Sequence, residues 1–175
     1  TGSQVLIGFS DGVLRLYYIM ANTAEGKLQH VMKSLHVTMK LLQAIKPHRK
    51  AVMKIRIDAK HKVAVSVGED KTVFVYRLEG GDALLKVLPI GFFSLDAPII
   101  TADFEKTTEE PILLIGFENG NLAFMNLRSL PPVAGEFVQL DKSMFAYSEI
   151  DLSQIIKTQS FKLFSVLCNT DNSIK

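Results

Sequence analysis

Three segments of the chain repeat one pattern: an apolar run rich in β-branched residues, a short polar turn, and a second apolar run. They span residues 4–17, 63–76 and 112–125, with turns at Ser10-Asp11-Gly12, Glu69-Asp70-Lys71 and Glu118-Asn119-Gly120. Asp-Gly and Asn-Gly between apolar runs mark tight hairpins, because these residues tolerate the positive φ that such turns demand. The runs have strand length rather than helix length. Taking Asp11, Asp70 and Asn119 as markers, the unit recurs about every 50 residues, the period of a repeat built from one small sheet. A weaker match follows at residues 163–175, with Asp171 at the turn. Residues 51–57 alternate apolar with basic, as a strand with one wet face does, and residues 97–104 hold the same place before the third hairpin. Residues 40–45 and 83–88 read as outer strands that close a unit. Each unit is then a four-stranded antiparallel sheet, and the fold class is all-β.

Two stretches depart from the unit. Leu28, Val31, Leu35, Met39 and Leu42 fall at near-helical spacing, so residues 20–39 read either as an inserted helix or as a long outer hairpin. Residues 128–160 are irregular around Pro131-Pro132, which breaks regular structure. They read as a long loop with some strand or helix between residues 144 and 156. Composition excludes several classes. The chain is 47% hydrophobic and 22% charged with a net charge of +2, which is globular rather than disordered. So small a net charge implies neither a nucleic-acid nor a membrane partner. Cys168 is the one cysteine, so a disulfide framework is excluded and a reducing compartment favoured. No apolar run approaches the roughly 20 residues of a membrane helix, and the sequence does not open on a secretory signal pattern.

The second unit resembles the WD repeat. That repeat carries a His before its first strand, a Ser or Thr on the second, an Asp in the hairpin and a Trp ending the third. His48, Ser66, Asp70 and Tyr76 stand at these positions, with Tyr in place of Trp. The resemblance implies a buried hydrogen-bonded tetrad, and buried polar groups do need such mutual partners. The first unit keeps Asp11 and Tyr17 but has Ile7 at the Ser position. The third has Leu95, Ile115, Asn119 and Met125. Those two units must rely on packing. The implied architecture is a partial WD-repeat β-propeller of about three four-stranded blades plus part of a fourth. The blades fall around residues 4–45, 48–88, 97–140 and 150–175, with insertions near 20–39 and 128–148. The expectation is a fragment of one propeller, which leaves blade faces and edges open.

Lys46-Pro47-His48 opening a blade, Pro89-Ile90-Gly91-Phe92 closing one, and Gly116-Phe117-Glu118-Asn119-Gly120 in a turn are similar to motifs of the cilia- and flagella-associated WD-repeat proteins of axonemal complexes. That resemblance implies a cytoplasmic, cytoskeletal subunit of the cilium or flagellum, a structural tether near dynein motors whose partners are other proteins. A WD-repeat scaffold of a trafficking or RNA-processing complex would carry the same repeats.

Chemical sites are poorly supported. His30, His36, His48 and His61 lack metal-ligand spacing and Cys168 has no cysteine partner. Ser66, Asp70 and His48 superficially make a triad, but the family places them inside a blade, away from any oxyanion hole. Gly80-Gly81-Asp82 lacks the lysine of a P-loop and reads as a turn. An enzyme with a propeller-borne site would need acids or histidines clustered around the central channel, and none is readable, so no enzyme, cofactor or small-molecule substrate is expected. A basic cluster runs through Lys46, His48, Arg49, Lys50, Lys54, Arg56, Lys60, His61 and Lys62, as a solvated strand face, a patch for an acidic protein partner or, least favoured, one for nucleic acid. The candidate partner-binding residues are Arg49, Lys50, Lys54, Arg56 and Glu69, with contact loops at 47–50, 68–71, 95–97 and 117–120. Phe92, Phe93 and Phe117 are either exposed anchors or packing between blades.

Overall fold

The computed structural model describes residues 2–23, 35–81, 85–133 and 135–152. Twelve strands follow one another: β1 (Gly2–Gly8), β2 (Leu14–Thr23), β3 (Leu35–Ile45), β4 (Val52–Asp58), β5 (Val63–Gly68), β6 (Thr72–Glu79), β7 (Lys86–Ser94), β8 (Ile99–Phe104), β9 (Ile112–Phe117), β10 (Asn121–Asn126), β11 (Val138–Gln139) and β12 (Ser148–Asp151). They form three sheets, ordered β1-β2-β3, β11-β7-β6-β5-β4 and β12-β10-β9-β8. Every pairing is antiparallel except that of β11 with β7. The architecture is all-β, with successive sheets packed face to face as in a partial β-propeller.

The three repeated turns share one cause. Asp11 accepts from the Val13 amide at 3.0 Å, Asp70 from Thr72 at 3.3 Å and Asn119 from Asn121 at 3.1 Å. The short polar side chain replaces a backbone partner two residues on and so nucleates the reversal. Gly12 takes φ 82° and Gly120 φ 88°, while Lys71 accepts φ 61° in the turn without glycine. Gly12 also has no room for a side chain, since a Cβ there would lie 2.2 Å from the His48 carbonyl oxygen.

The second sheet is buried on both faces. Val63, Val65, Val67, Val73 and Val75 pack with Ile99, Phe104, Leu113, Ile115, Phe117 and Met125 of the third sheet. The alternate residues Ala64, Phe74, Tyr76 and Leu78 pack against Leu14 and Leu16 of the first. Period-two alternation thus sends both faces into cores, and β5 reads as an unbroken apolar run for that reason. Phe93 and Phe117 are buried in the seam between the second and third sheets, and Phe92 stacks on Phe74 at 5.1 Å. The first sheet behaves differently on its far face. There Val5, Tyr17 and Leu41 stand in register, as do Ile19 and Met39, and Val5, Val37, Met39 and Leu41 are exposed.

Of the two readings of residues 20–39, the described part agrees with the outer hairpin. Residues 20–23 and 35–39 are strand, paired as Met20 with Thr38 and Thr23 with Leu35. The near-helical spacing of Leu35, Met39 and Leu42 therefore has no helical counterpart there, and residues 24–34 lie outside the described residues. The sheets hold three, five and four strands among the described residues, consistent with the blades of a partial propeller. The boundary at 140 does not hold: Ser148–Asp151, expected at the start of the next blade, is the outer strand of the third sheet on β10. The intervening chain first crosses to the second sheet, where β11 pairs with Gly91 and Phe92. Phe137 lodges against Phe74 and Tyr76 at 4.7 and 5.7 Å. The expected hairpin at 163–175, with Asp171 and Cys168, lies outside the described residues.

Candidate functional site

The loop before β4 delivers His48 into the second sheet, where it is 1% exposed. Its Nε2 lies 2.7 Å from the Ser66 hydroxyl, and that oxygen is 2.8 Å from the Tyr76 hydroxyl. Its Nδ1 lies 3.1 Å from Asp70 Oδ1. The chain closes with a neutral imidazole: Tyr76 donates to Ser66, Ser66 donates to Nε2, and Nδ1–H donates to Asp70. Thr72, absent from the sequence reading, joins by donating its hydroxyl to Asp70 Oδ1 at 2.5 Å. Its place directly after the turn was the available signal, since an Asx turn brings residue i+2 onto the carboxylate. Gly68 is needed beside them, because a Cβ there would sit 2.4 Å from His48 Nδ1.

Titration behaviour follows from this enclosure. Burial holds the His48 imidazole below its ordinary 6.5, against the pull of the Asp70 hydrogen bond and charge. Desolvation pushes the Asp70 carboxyl up, but hydrogen bonds from Thr72, the Arg49 amide and His48 outweigh it and leave the group below 3.8. Burial drives the Tyr76 phenol up. A Ser so enclosed, 0% exposed, has no access to a substrate carbonyl. The corresponding positions of the third sheet, Leu95, Ile115 and Met125, are all buried in the apolar seam instead.

The same network anchors a rim. Asp70 Oδ2 accepts from the Arg49 amide at 2.8 Å, and the Glu69 amide donates to Ala51 at 3.0 Å. On one side the Val52 amide donates to Phe9 and the His48 amide to Gly12. On the other, the Leu95 amide donates to Lys71 and the Glu118 amide to Pro98. Main-chain bonds therefore chain the turns at 9–12, 47–50, 68–71, 95–98 and 117–120 into one continuous edge. All four loops expected to make contacts stand on it.

The candidate contact residues divide. Arg49, Lys50 and Glu69 project from the rim and are exposed. Lys54 and Arg56 lie on β4 and are half-buried. Arg56 is already engaged, with Nε 3.1 Å from Asp103 Oδ1 on β8 of the next sheet. The basic cluster is consequently no single patch. β4 is 7 residues long, about 23 Å at the rise of a strand. It holds Arg49 and Lys50 at one rim and Lys60, His61 and Lys62 at the other. Exposed Asp11, Asp96 and Glu118 share the first rim, which mixes both signs. Among the described residues no group of three or more His, Cys, Asp or Glu side chains converges to hold a metal, and no helix is long and apolar enough to cross a membrane.

No family model matches the chain. Over 153 residues, 87% of its length, it is 28% identical to "Cilia- and flagella-associated protein 44" of Mus musculus, and the match spans 8% of that protein. The chain is thus similar, over nearly all of its own length and a small part of the relative's, to a protein named for its association with cilia and flagella.

Proposed function

We propose that the chain is part of a non-catalytic protein-interaction scaffold, a WD-repeat propeller segment in a structural subunit of a ciliary or flagellar axonemal complex near dynein motors. The observation that carries the reading is the rim. Five turns are joined edge to edge by main-chain hydrogen bonds and backed by the His48 network. They hold exposed Arg49, Lys50 and Glu69 in fixed relation. Preorganised loops on a rigid sheet lose little entropy on binding. The similarity to a cilia- and flagella-associated protein supports a ciliary setting, and the mixed charge of the rim favours a protein partner over nucleic acid or membrane. The partner would meet Arg49, Lys50 and Glu69, with Lys54 deeper on β4.

The test is affinity capture of the full-length tagged protein from ciliated cells, in parallel with an Arg49→Glu, Glu69→Lys variant. Enrichment of axonemal subunits by the parent, lost in the charge-swapped variant, is the expected result. Enrichment of trafficking or RNA-processing components would replace the axonemal context with another cytosolic assembly. Capture of the same axonemal subunits by both would remove this rim as the contact.

A further inference from the structure

The two seams between sheets are tied by different chemistry. Between the first and second, Gln43 donates to the Val87 carbonyl at 2.7 Å and accepts from the Val87 amide at 3.0 Å, and Gln4 accepts from the Leu85 amide at 2.9 Å. These groups do not titrate. Between the second and third, beside the Arg56–Asp103 and Lys60–Glu109 ion pairs, one tie on the rim opposite the proposed contact edge runs through His61 in the turn after β4. Its Nδ1 lies 2.6 Å from Asp58 Oδ2 and its Nε2 lies 2.9 Å from the Glu109 carbonyl oxygen, in the loop after β8. The Asp58 carboxylate is fixed on the ring by accepting the His61 amide at 3.1 Å.

Both partners of the ring are acceptors, a carboxylate and a main-chain carbonyl. A neutral imidazole has one N–H and would turn a lone pair on one of them. The imidazolium donates to both. We propose that His61 is a proton-operated latch: charged, it ties the β4–β5 turn to the β8–β9 loop, and loss of its proton loosens this seam while leaving the other unchanged. Asp58 and Lys60 face the ring from its own turn. Arg77 of β6 stands beside it on its own sheet, and across the seam stand Glu109 and Glu110 of the loop and Arg128 after β10. Asp103, Glu105 and Lys106 line the adjoining hollow. Asp103 is held by Arg56, Glu109 by Lys60 at 2.7 Å and Glu110 by Arg128 at 2.7 Å, so His61 is the group of this cluster with an ordinary value near neutrality. The Asp58 hydrogen bond holds it above 6.5, with partial burial opposing and the Glu109 carbonyl adding to the rise. The latch is therefore fully present below 6.5 and is lost as pH climbs through the raised value.

Hydrogen–deuterium exchange of the full-length protein, followed by mass spectrometry and normalised to intrinsic rates, tests this across about pH 6 to about pH 9. Amides of residues 105–110 should pass through one step to faster exchange, with a midpoint above 6.5. Residues 85–88 at the other seam should show no step. His61→Gln should remove the step, and Asp58→Asn should move it to lower pH. A flat profile in the parent protein would overturn the proposal, as would a step that survives His61→Gln or a midpoint unmoved by Asp58→Asn.

Discussion

Ser66 stands between two buried partners, and its hydroxyl is the one atom that satisfies both His48 Nε2 and the Tyr76 hydroxyl. Ser66→Ala leaves both unpaired, and an orphaned buried group costs about 1–3 kcal/mol. Denaturant midpoints of parent and variant measure it. The third sheet shows how the same positions do without polarity, with Leu95, Ile115 and Met125 packed in an apolar seam. Carrying that set into the second sheet as His48→Leu, Ser66→Ile and Tyr76→Met removes the three most buried members together and leaves Asp70 to Thr72 and the Arg49 amide. The triple variant should retain more stability than the sum of the single losses allows, because buried polar sets and apolar sets are alternative solutions while half of either is not. The two titrating histidines pull in opposite directions. His48 is held neutral, so the unfolded chain takes up its proton first. Stability should fall as pH drops below 6.5 toward the lowered native value. His61, raised, should cost stability on the alkaline side. A pH series of denaturant midpoints should show both arms, the acid arm missing from the His48→Leu triple variant and the alkaline arm from His61→Gln.

Among the elements, β11 depends on a neighbour's lack of a side chain. A Cβ on Gly91 would lie 2.4 Å from the Val138 carbonyl oxygen and 2.6 Å from Leu140. Gly91→Ala should therefore lift residues 137–140 off β7 at a cost of about 1–3 kcal/mol. Limited proteolysis should show new cleavage there, with the His48 network intact. Little of this was legible in advance. Turns built on Asp11, Asp70 and Asn119 advertise themselves, since the residue that makes the reversal is also the residue that marks it. Strands β5, β6, β9 and β10 are apolar runs of the right length and were placed from sequence. A two-residue parallel strand has no periodicity to read, and an excursion from one sheet to another obeys no local signal. A strand within residues 144–156 was expected, but the pairing of β12 with β10 was hidden: Glu149 and Ile150 are exposed, so its alternation is faint. At the site, His48, Ser66, Asp70 and Tyr76 are legible through the resemblance to the WD repeat. The engagement of Arg56 with Asp103 is not, because strands of different sheets with three others between them carry no sign in sequence of which charges will face each other.

At the scale of the whole molecule, the far face of the first sheet is the feature that stands apart. Val37 is 54%, Met39 49% and Leu41 50% exposed, on a strand whose outer edge is unpaired among the described residues. Exposed apolar sheet edges associate. The 175 residues prepared alone should form concentration-dependent oligomers in sedimentation velocity. Met39→Glu with Leu41→Lys should weaken that association by at least about tenfold, equivalent to about 1.4 kcal/mol. The crossing of residues 128–147 has a consequence in time. β7 is finished well before β11 is made, and at ~5–20 residues per second of synthesis its edge waits roughly 2 to 9 s for its cover. During that interval the nascent second sheet offers a bare strand to any other emerging chain. Slowing the ribosome between codons 95 and 138 would lengthen the exposure without altering one contact of the finished protein.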